Sequence, residues 1–210
     1  MNRDHYFRFR RARAFPALRG IWTLLLALAL ALPVAGCGYN EVVDRDESVK
    51  AAWGEVQNQY TRRADLVPNL VKTVKASAQF EQDTLQKVVE ARSKVASMQV
   101  DASTIDDPAK LKQFEAAQAQ LSGALSRLMV VVEKYPDIKS TDAFRDLQSQ
   151  LEGTENRIAV ARKRYIEDVA EYNKTVQRFP TSIGASMRGK KVRPTFEGTP
   201  GVEKPPEVNF

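Results

Sequence analysis

From Tyr39 onward, apolar residues return every three or four positions and charged residues fill the intervals, the spacing of helices with one wet face. The first stripe is Val42, Val43, Val49, Ala52, Trp53, Val56 and Tyr60, with Asp44, Arg45, Asp46, Glu47, Lys50 and Glu55 opposite. It predicts a helix to about Ala64. Asp65 then offers an N-cap and Pro68 falls in the next first turn, so a break is placed at Ala64–Asp65; a continuous helix kinked at Pro68 is the alternative. A second helix is expected from Leu66 to about Met98, on Leu66, Leu70, Val74, Leu85, Val88 and Val95. Asp107-Pro108, a cap followed by proline, opens a third on Leu111, Phe114, Leu121, Leu125, Leu128 and Val132. Tyr135-Pro136 stops it near Lys134. Thr141 caps the longest helix, about Asp142 to Arg178, on Phe144, Leu147, Leu151, Ile158, Ala161, Tyr165, Val169, Tyr172, Val176 and Phe179, with Thr154 in the one long gap. At 1.5 Å per residue it is roughly 55 Å long.

Four such helices, short connections and no strand signal predict an all-α fold, an up-down-up-down antiparallel four-helix bundle with long helices. A coiled-coil dimer of two-helix units is the runner-up, but the stripes are broad and irregular for it. Gly54, Gly123 and Gly153 cost about 1 kcal/mol each inside helices and are expected at close helix approaches. After Phe179, residues 180–210 hold five of the ten prolines and show no period, so 181–210 is expected as a disordered tail.

The chain before Tyr39 has a different pattern. Six arginines (Arg3, Arg8, Arg10, Arg11, Arg13, Arg19) and one acid, Asp4, precede the uncharged run Ile21–Leu32, which Pro33 breaks. A basic front, a short apolar middle and a small-residue end describe a secretory signal. A spanning helix needs about 20 apolar residues, and an uncleaved N-terminal anchor is the alternative. Val34-Ala35-Gly36-Cys37 resembles a lipobox, so residues 1–36 read as a lipoprotein signal peptide and Cys37 as the lipidated residue. Each buried methylene of a palmitate-type chain contributes about 0.8 kcal/mol, and several chains together hold firmly. Gly38 after the cysteine leans the sorting toward the outer membrane rather than inner-membrane retention.

This partition changes the meaning of the charge. The whole chain has 32 basic and 26 acidic residues; residues 37–210 have 26 and 25, and most of the positive excess leaves with the signal. A nucleic-acid partner, which needs a clustered positive face, is not expected. The only histidine is His5 and the only cysteine is Cys37, so residues 38–210 contain neither. A di-metal bundle site built on Glu-x-x-His pairs is excluded, and no loop has calcium-ligand spacing. Nucleophilic catalysis lacks its usual base, and no Ser–Lys pair stands out. No cofactor, metal or catalytic residue is assigned. Tyr60, Tyr135, Tyr165 and Tyr172 read as core.

Two polar clusters remain. Arg62, Arg63, Asp65 and Asn69 crowd the first expected helix junction, as a binding surface or as capping residues. Glu155, Asn156 and Arg157 sit mid-helix near the seam, where one or more is expected to be buried and paired with Arg92 or Arg62 as a register-fixing layer.

Two ordered blocks carry a family resemblance. The first is Tyr39-Asn40, Ala52-Trp53, the unbroken string Arg62 to Val71 (RRADLVPNLV), Thr73-Val74-Lys75, Glu81 and Ala91-Arg92. The second is Tyr135-Pro136, Phe144, Leu147-Gln148, Leu151, Thr154 to Ala159 (TENRIA), Ala161-Arg162, Tyr165, Tyr172-Asn173 and Phe179-Pro180. Over about residues 39 to 197 the chain resembles the LemA family. It departs in having a lipobox where the family usually has an uncleaved membrane helix, and Ile166 where asparagine is common. The resemblance implies a membrane-tethered helical bundle on the outer side of the cytoplasmic membrane; residues 37–180 are its bundle domain. LemA-like genes often lie near membrane metallopeptidases. The expected function is therefore a lipid-anchored, non-enzymatic scaffold of the cell envelope, facing periplasm or exterior. It would bind membrane lipid through Cys37 and another envelope protein through its long bundle surface or its Pro-rich tail. The alternative is an accessory partner of a membrane metallopeptidase.

Overall fold

The computed structural model describes residues 16–76 and 80–196, with side chains from Asn40 onward. The described residues are helical, with no strand. Helix α1 is Pro16–Lys75, α2 Gln82–Ala96, α3 Pro108–Val132, α4 Pro136–Lys139, α5 Asp142–Gln177 and α6 Thr181–Met187, with a 3-10 turn at Ala102–Ile105. The long helices α1 and α5 pack along each other, α2 pairs with α3 and also touches α1, and α6 lies against α1 and α5. No helix among the described residues is long and apolar enough to cross a membrane. The expected signal falls on residues whose placement or side chains lie outside that description, as does the side chain of Cys37.

The stripes read from the sequence form the core. One apolar cluster gathers Val42, Val49, Trp53, Val56 and Tyr60 of α1 with Phe114 of α3 and Tyr165, Val169 and Tyr172 of α5. A second gathers Val67, Leu70 and Val74 of α1 with Val88 of α2, Leu121, Leu125 and Leu128 of α3 and Phe144 and Leu151 of α5. Thr154 is fully buried and turns its hydroxyl back to the Gln150 carbonyl (2.7 Å), which lets a polar residue occupy a core position. Asp107 accepts from the Ala109 amide (2.8 Å) ahead of Pro108, and Thr141 accepts from the Phe144 amide (3.3 Å), so both caps stand where the sequence puts them.

The break expected at Ala64–Asp65 is absent. Helix α1 continues through Asp65 and Pro68 to Lys75, and the second helix starts at Gln82 rather than Leu66. Pro68 has no amide to give the carbonyl of Ala64, four residues back, which would leave that acceptor orphaned. Arg92 of α2 supplies the donor: its Nε lies 3.1 Å from the Ala64 oxygen. Asp65 is an exposed mid-helix residue and caps nothing.

Three further expectations fail. A Cβ built on Gly54, Gly123 or Gly153 meets nothing within 4 Å, so these glycines mark no close approach. Phe179 is exposed, not the last core position of α5. Residues 181–196, expected in a disordered tail, form α6 and an extended strap. Helix α6 ends with Gly189 at φ 64°, its amide bonded to the Ser186 carbonyl and the Lys190 amide to the Ala185 carbonyl. This left-handed turn, which glycine enters without strain, sends Lys190–Phe196 back over the helices. Phe196 is buried against Trp53 and Tyr165, ring centroids 6.2 and 5.1 Å away.

Candidate functional site

The two apolar clusters are separated by a charged layer. Arg63, on the third turn after Trp53, is only 2 % exposed. A guanidinium so placed must find partners inside the protein or it would cost several kcal/mol. Nη1 reaches Glu155 Oε1 of α5 at 2.9 Å; Nη2 reaches Gln118 of α3 at both Oε1 (2.6 Å) and the backbone oxygen (3.1 Å). Its plane lies over the Tyr60 ring, 5.0 Å from the centroid. Arg162 of α5 extends the layer toward Glu115 Oε1 and the Tyr60 hydroxyl, both at 3.4 Å. Three helices are thus tied at one level, and sliding any of them would strip a buried charge of its partners.

Of the eight polar residues singled out from the sequence, this layer holds Arg63 and Glu155; the Glu155 side chain is 44% exposed, and none of Glu155, Asn156 and Arg157 is buried as expected. The partner of Glu155 is Arg63, not the expected Arg62 or Arg92. Arg92 is half-buried and serves the Ala64 carbonyl. Arg62, Asp65, Asn69, Asn156 and Arg157 are exposed. Asp65 and Arg92 share a cleft of about 330 Å³ beneath the loop after α2, where Gln57 Nε2 holds the Val100 carbonyl at 3.0 Å.

A second charged cluster gathers on α1 at Asp46 and Lys50, near the start of its described side chains, and the sequence reading does not find it. Arg193 of the strap is buried, with Nε 2.7 Å from Asp106 Oδ1 and Nη1 3.0 Å from Asp46 Oδ1. Lys50 and Lys190 reach the other Asp46 oxygen at 2.9 and 3.0 Å. Asn173 clamps the strap backbone, accepting from the Arg193 amide (2.8 Å) and donating to its carbonyl (3.0 Å). Tyr172 lies under the guanidinium at 4.8 Å. Burial pushes the Asp46 carboxyl up, but the Lys50 and Lys190 hydrogen bonds and the Arg193 charge outweigh it and hold the group below its ordinary value. Burial drives the Tyr165 and Tyr172 hydroxyls upward. Near neutral pH the first donates to the Pro194 carbonyl at 3.3 Å, and neither serves as a base. The sequence reading sets Asp46 on the wet face of α1 with Asp44 and Glu47, but it is buried: four residues after Val42 and three before Val49, it falls on the core stripe.

A shallow groove of about 690 Å³ runs along α1 and α5. Its apolar lining is Ala51, Ala52, Val160 and Ala161, of which Ala52 and Ala161 are buried; Glu55, Arg157, Arg164 and Asp168 also line it. Asn156 and Arg157, two of the sequence candidates, open onto it. Among the described residues no group of three or more His, Cys, Asp or Glu side chains is placed to hold a metal ion.

The LemA family profile matches residues 52–210, most of the chain and all of both charged clusters except Asp46 and Lys50. The chain belongs to the LemA family. Curated LemA-family relatives include the magnetosome protein MamQ of Magnetospirillum gryphiswaldense, 27% identical over 208 residues, covering 89% of this chain and 76% of the relative. Magnetosome protein MamQ 2 of Paramagnetospirillum magneticum is 27% identical over 183 residues, 80% of this chain and 67% of that one. Protein LemA of Metamycoplasma hominis is 23% identical over 146 residues, 70% and 63% of the two chains. The LemA-like strings RRADLVPNLV and TENRIA gain a structural meaning here. The first holds Arg63 of the layer and Pro68, whose lost hydrogen bond Arg92 replaces; the second holds Thr154 and Glu155.

Proposed function

We propose that this LemA-family chain works without catalysis, as a membrane-attached helical module of the cell envelope that binds another envelope protein along the α1–α5 groove. The anchor in this reading is the N-terminal segment, with lipid on Cys37 and the helical body facing periplasm or exterior; Gly38 favours the outer membrane. The likeness to proteins named for the magnetosome supports membrane association. The packing of α1 with α5, α2 with α3 and α1 with α2 supports an antiparallel up-down-up-down arrangement of the four longer helices.

The observation that carries a binding role over a chemical one is where the buried charge goes. Arg63 and Arg193 are turned inward onto Gln118, Glu155, Asp46 and Asp106, and hold helices and strap together. The α1–α5 face is different: Val160 is 66% exposed beside lining alanines, with acids and arginines both within reach of a partner. Apolar centres with polar rims are where binding energy concentrates. Val160→Glu and Arg164→Glu in the full chain are expected to cut crosslinking to an envelope partner in intact cells by about tenfold each, with the unfolding midpoint unchanged. If crosslinks persist in both variants, the groove is not the contact.

A further inference from the structure

The end of the body nearest the N-terminal segment carries a surface that neither the core nor the groove uses. Phe179, Ile183 and Met187 recur every four residues along α6 and its approach, and they are 74%, 55% and 82% exposed. Val192 of the strap is 52% exposed. Helix α6 buries Thr181 and Ala185 against the molecule, so Ile183 and Met187 stand on its open side. From Arg178 to Phe196 the chain has five cations, Arg178, Arg188, Lys190, Lys191 and Arg193, and no acid. Lys190 and Arg193 are drawn inward to Asp46, while Arg178 and Lys191 are exposed. Exposed apolar side chains beside the exposed Arg178 and Lys191, on a short helix packed against α1 and α5, are the pattern of a segment that rests on an anionic bilayer.

Its position fits that occupant. Lys190 bonds Asp46 at 3.0 Å, so the segment is fixed to α1 nine residues after Cys37. At 1.5 Å of helical rise per residue, that is roughly 14 Å of α1. Whatever membrane holds residue 37 or the apolar run before it comes within reach of α6. The acids at this end are Glu41, Asp44 and Glu47 of α1 and Glu171 of α5; Glu47 is paired with Lys50 and Glu171 with Lys174, each at 2.7 Å.

We infer that Phe179, Ile183 and Met187, with Arg178 and Lys191, form a membrane-surface footprint that seats the helical body on anionic lipid. The inference rests on the membrane attachment argued above. It adds a second contact that fixes how the body stands on the bilayer, where a single tether would leave it to swing.

The test uses the full chain, purified from membranes and reconstituted into phosphatidylcholine vesicles with or without phosphatidylglycerol. A photoreactive benzoylphenylalanine replaces Ile183, Met187 or, as control, Val130, which is 68% exposed on α3. All three sites are exposed, and circular dichroism checks that each variant is folded. Lipid adducts are expected from positions 183 and 187 and not from 130. Adduct yield should fall about fivefold without phosphatidylglycerol or with Lys191→Ala. Floating vesicles that carry the protein but give no lipid adduct at 183 or 187, adducts to protein alone, or equal yield at 130 would overturn the footprint and leave the anchor standing. Protein that does not float with the vesicles would refute the anchor and the footprint with it.

Discussion

Pro68 and Arg92 are the residue pair in which local and tertiary rules compete most openly. Proline should end or kink a helix because it withholds one hydrogen bond and crowds the preceding turn. Here the withheld bond is replaced from another helix, Arg92 Nε to the Ala64 oxygen. Arg92→Ala is therefore expected to cost about 1–3 kcal/mol, the range for a buried acceptor left unsatisfied. In a Pro68→Ala background the helix regains its own amide donor, and the same Arg92→Ala change should cost clearly less. Denaturant unfolding of the four-member cycle measures this; equal costs in the two backgrounds would show that the Arg92 bond does not compensate Pro68. The sequence makes Arg92 visible as a cation that could reach the seam but not its acceptor. A main-chain carbonyl leaves no mark in the pattern of side chains, which is why a break at Asp65 looked the simpler reading.

At the scale of elements, helices with regular stripes were legible and the strap was not. The stripes of α3 and α5 predict their buried faces nearly position by position, down to Thr154, because a helix displays its partner-facing residues at a fixed period. Helix α6 is only two turns long and the strap Lys190–Phe196 has no period; its order depends on single side chains inserted into sites made elsewhere: Arg193 between Asp46 and Asp106, Phe196 beside Trp53. The glycines mislead for the opposite reason, since composition suggested a packing role where the surroundings are open. The strap has a pH signature with a definite sign. Asp46 is held below its unperturbed value of 3.8, so its ion pairs stabilise the folded state fully above that pH. The contribution is lost as pH falls through the lower folded value, where the carboxyl takes a proton and Lys50, Lys190 and Arg193 lose their counter-charge. Unfolding midpoints measured on both sides of pH 3.8 should drop more steeply on the acid side for the native chain than for Asp46→Asn; parallel profiles would remove Asp46 as the source.

The described residues form an all-helical body whose core is interrupted by a charged layer around the buried Arg63 and closed near α6 by a charged cluster around Arg193. Such layers are costly to leave half-paired and are best attested as devices that fix register. Of the candidate site, the sequence made Arg63 and Glu155 recognisable but paired the glutamate with the wrong arginine, since Arg62 and Arg63 are neighbours in the chain on different faces of α1. It made Asn156 and Arg157 recognisable as well, though they face the groove. The body is read as a scaffold, and a scaffold needs a fixed place, which the N-terminal segment supplies in this account. Intact-mass measurement of the native protein extracted from the membrane fraction tests that claim most directly. The expected species is a chain beginning at Cys37 with the added mass of a diacylglyceryl group and a further acyl chain; an unmodified chain beginning at Met1 would contradict the lipid anchor.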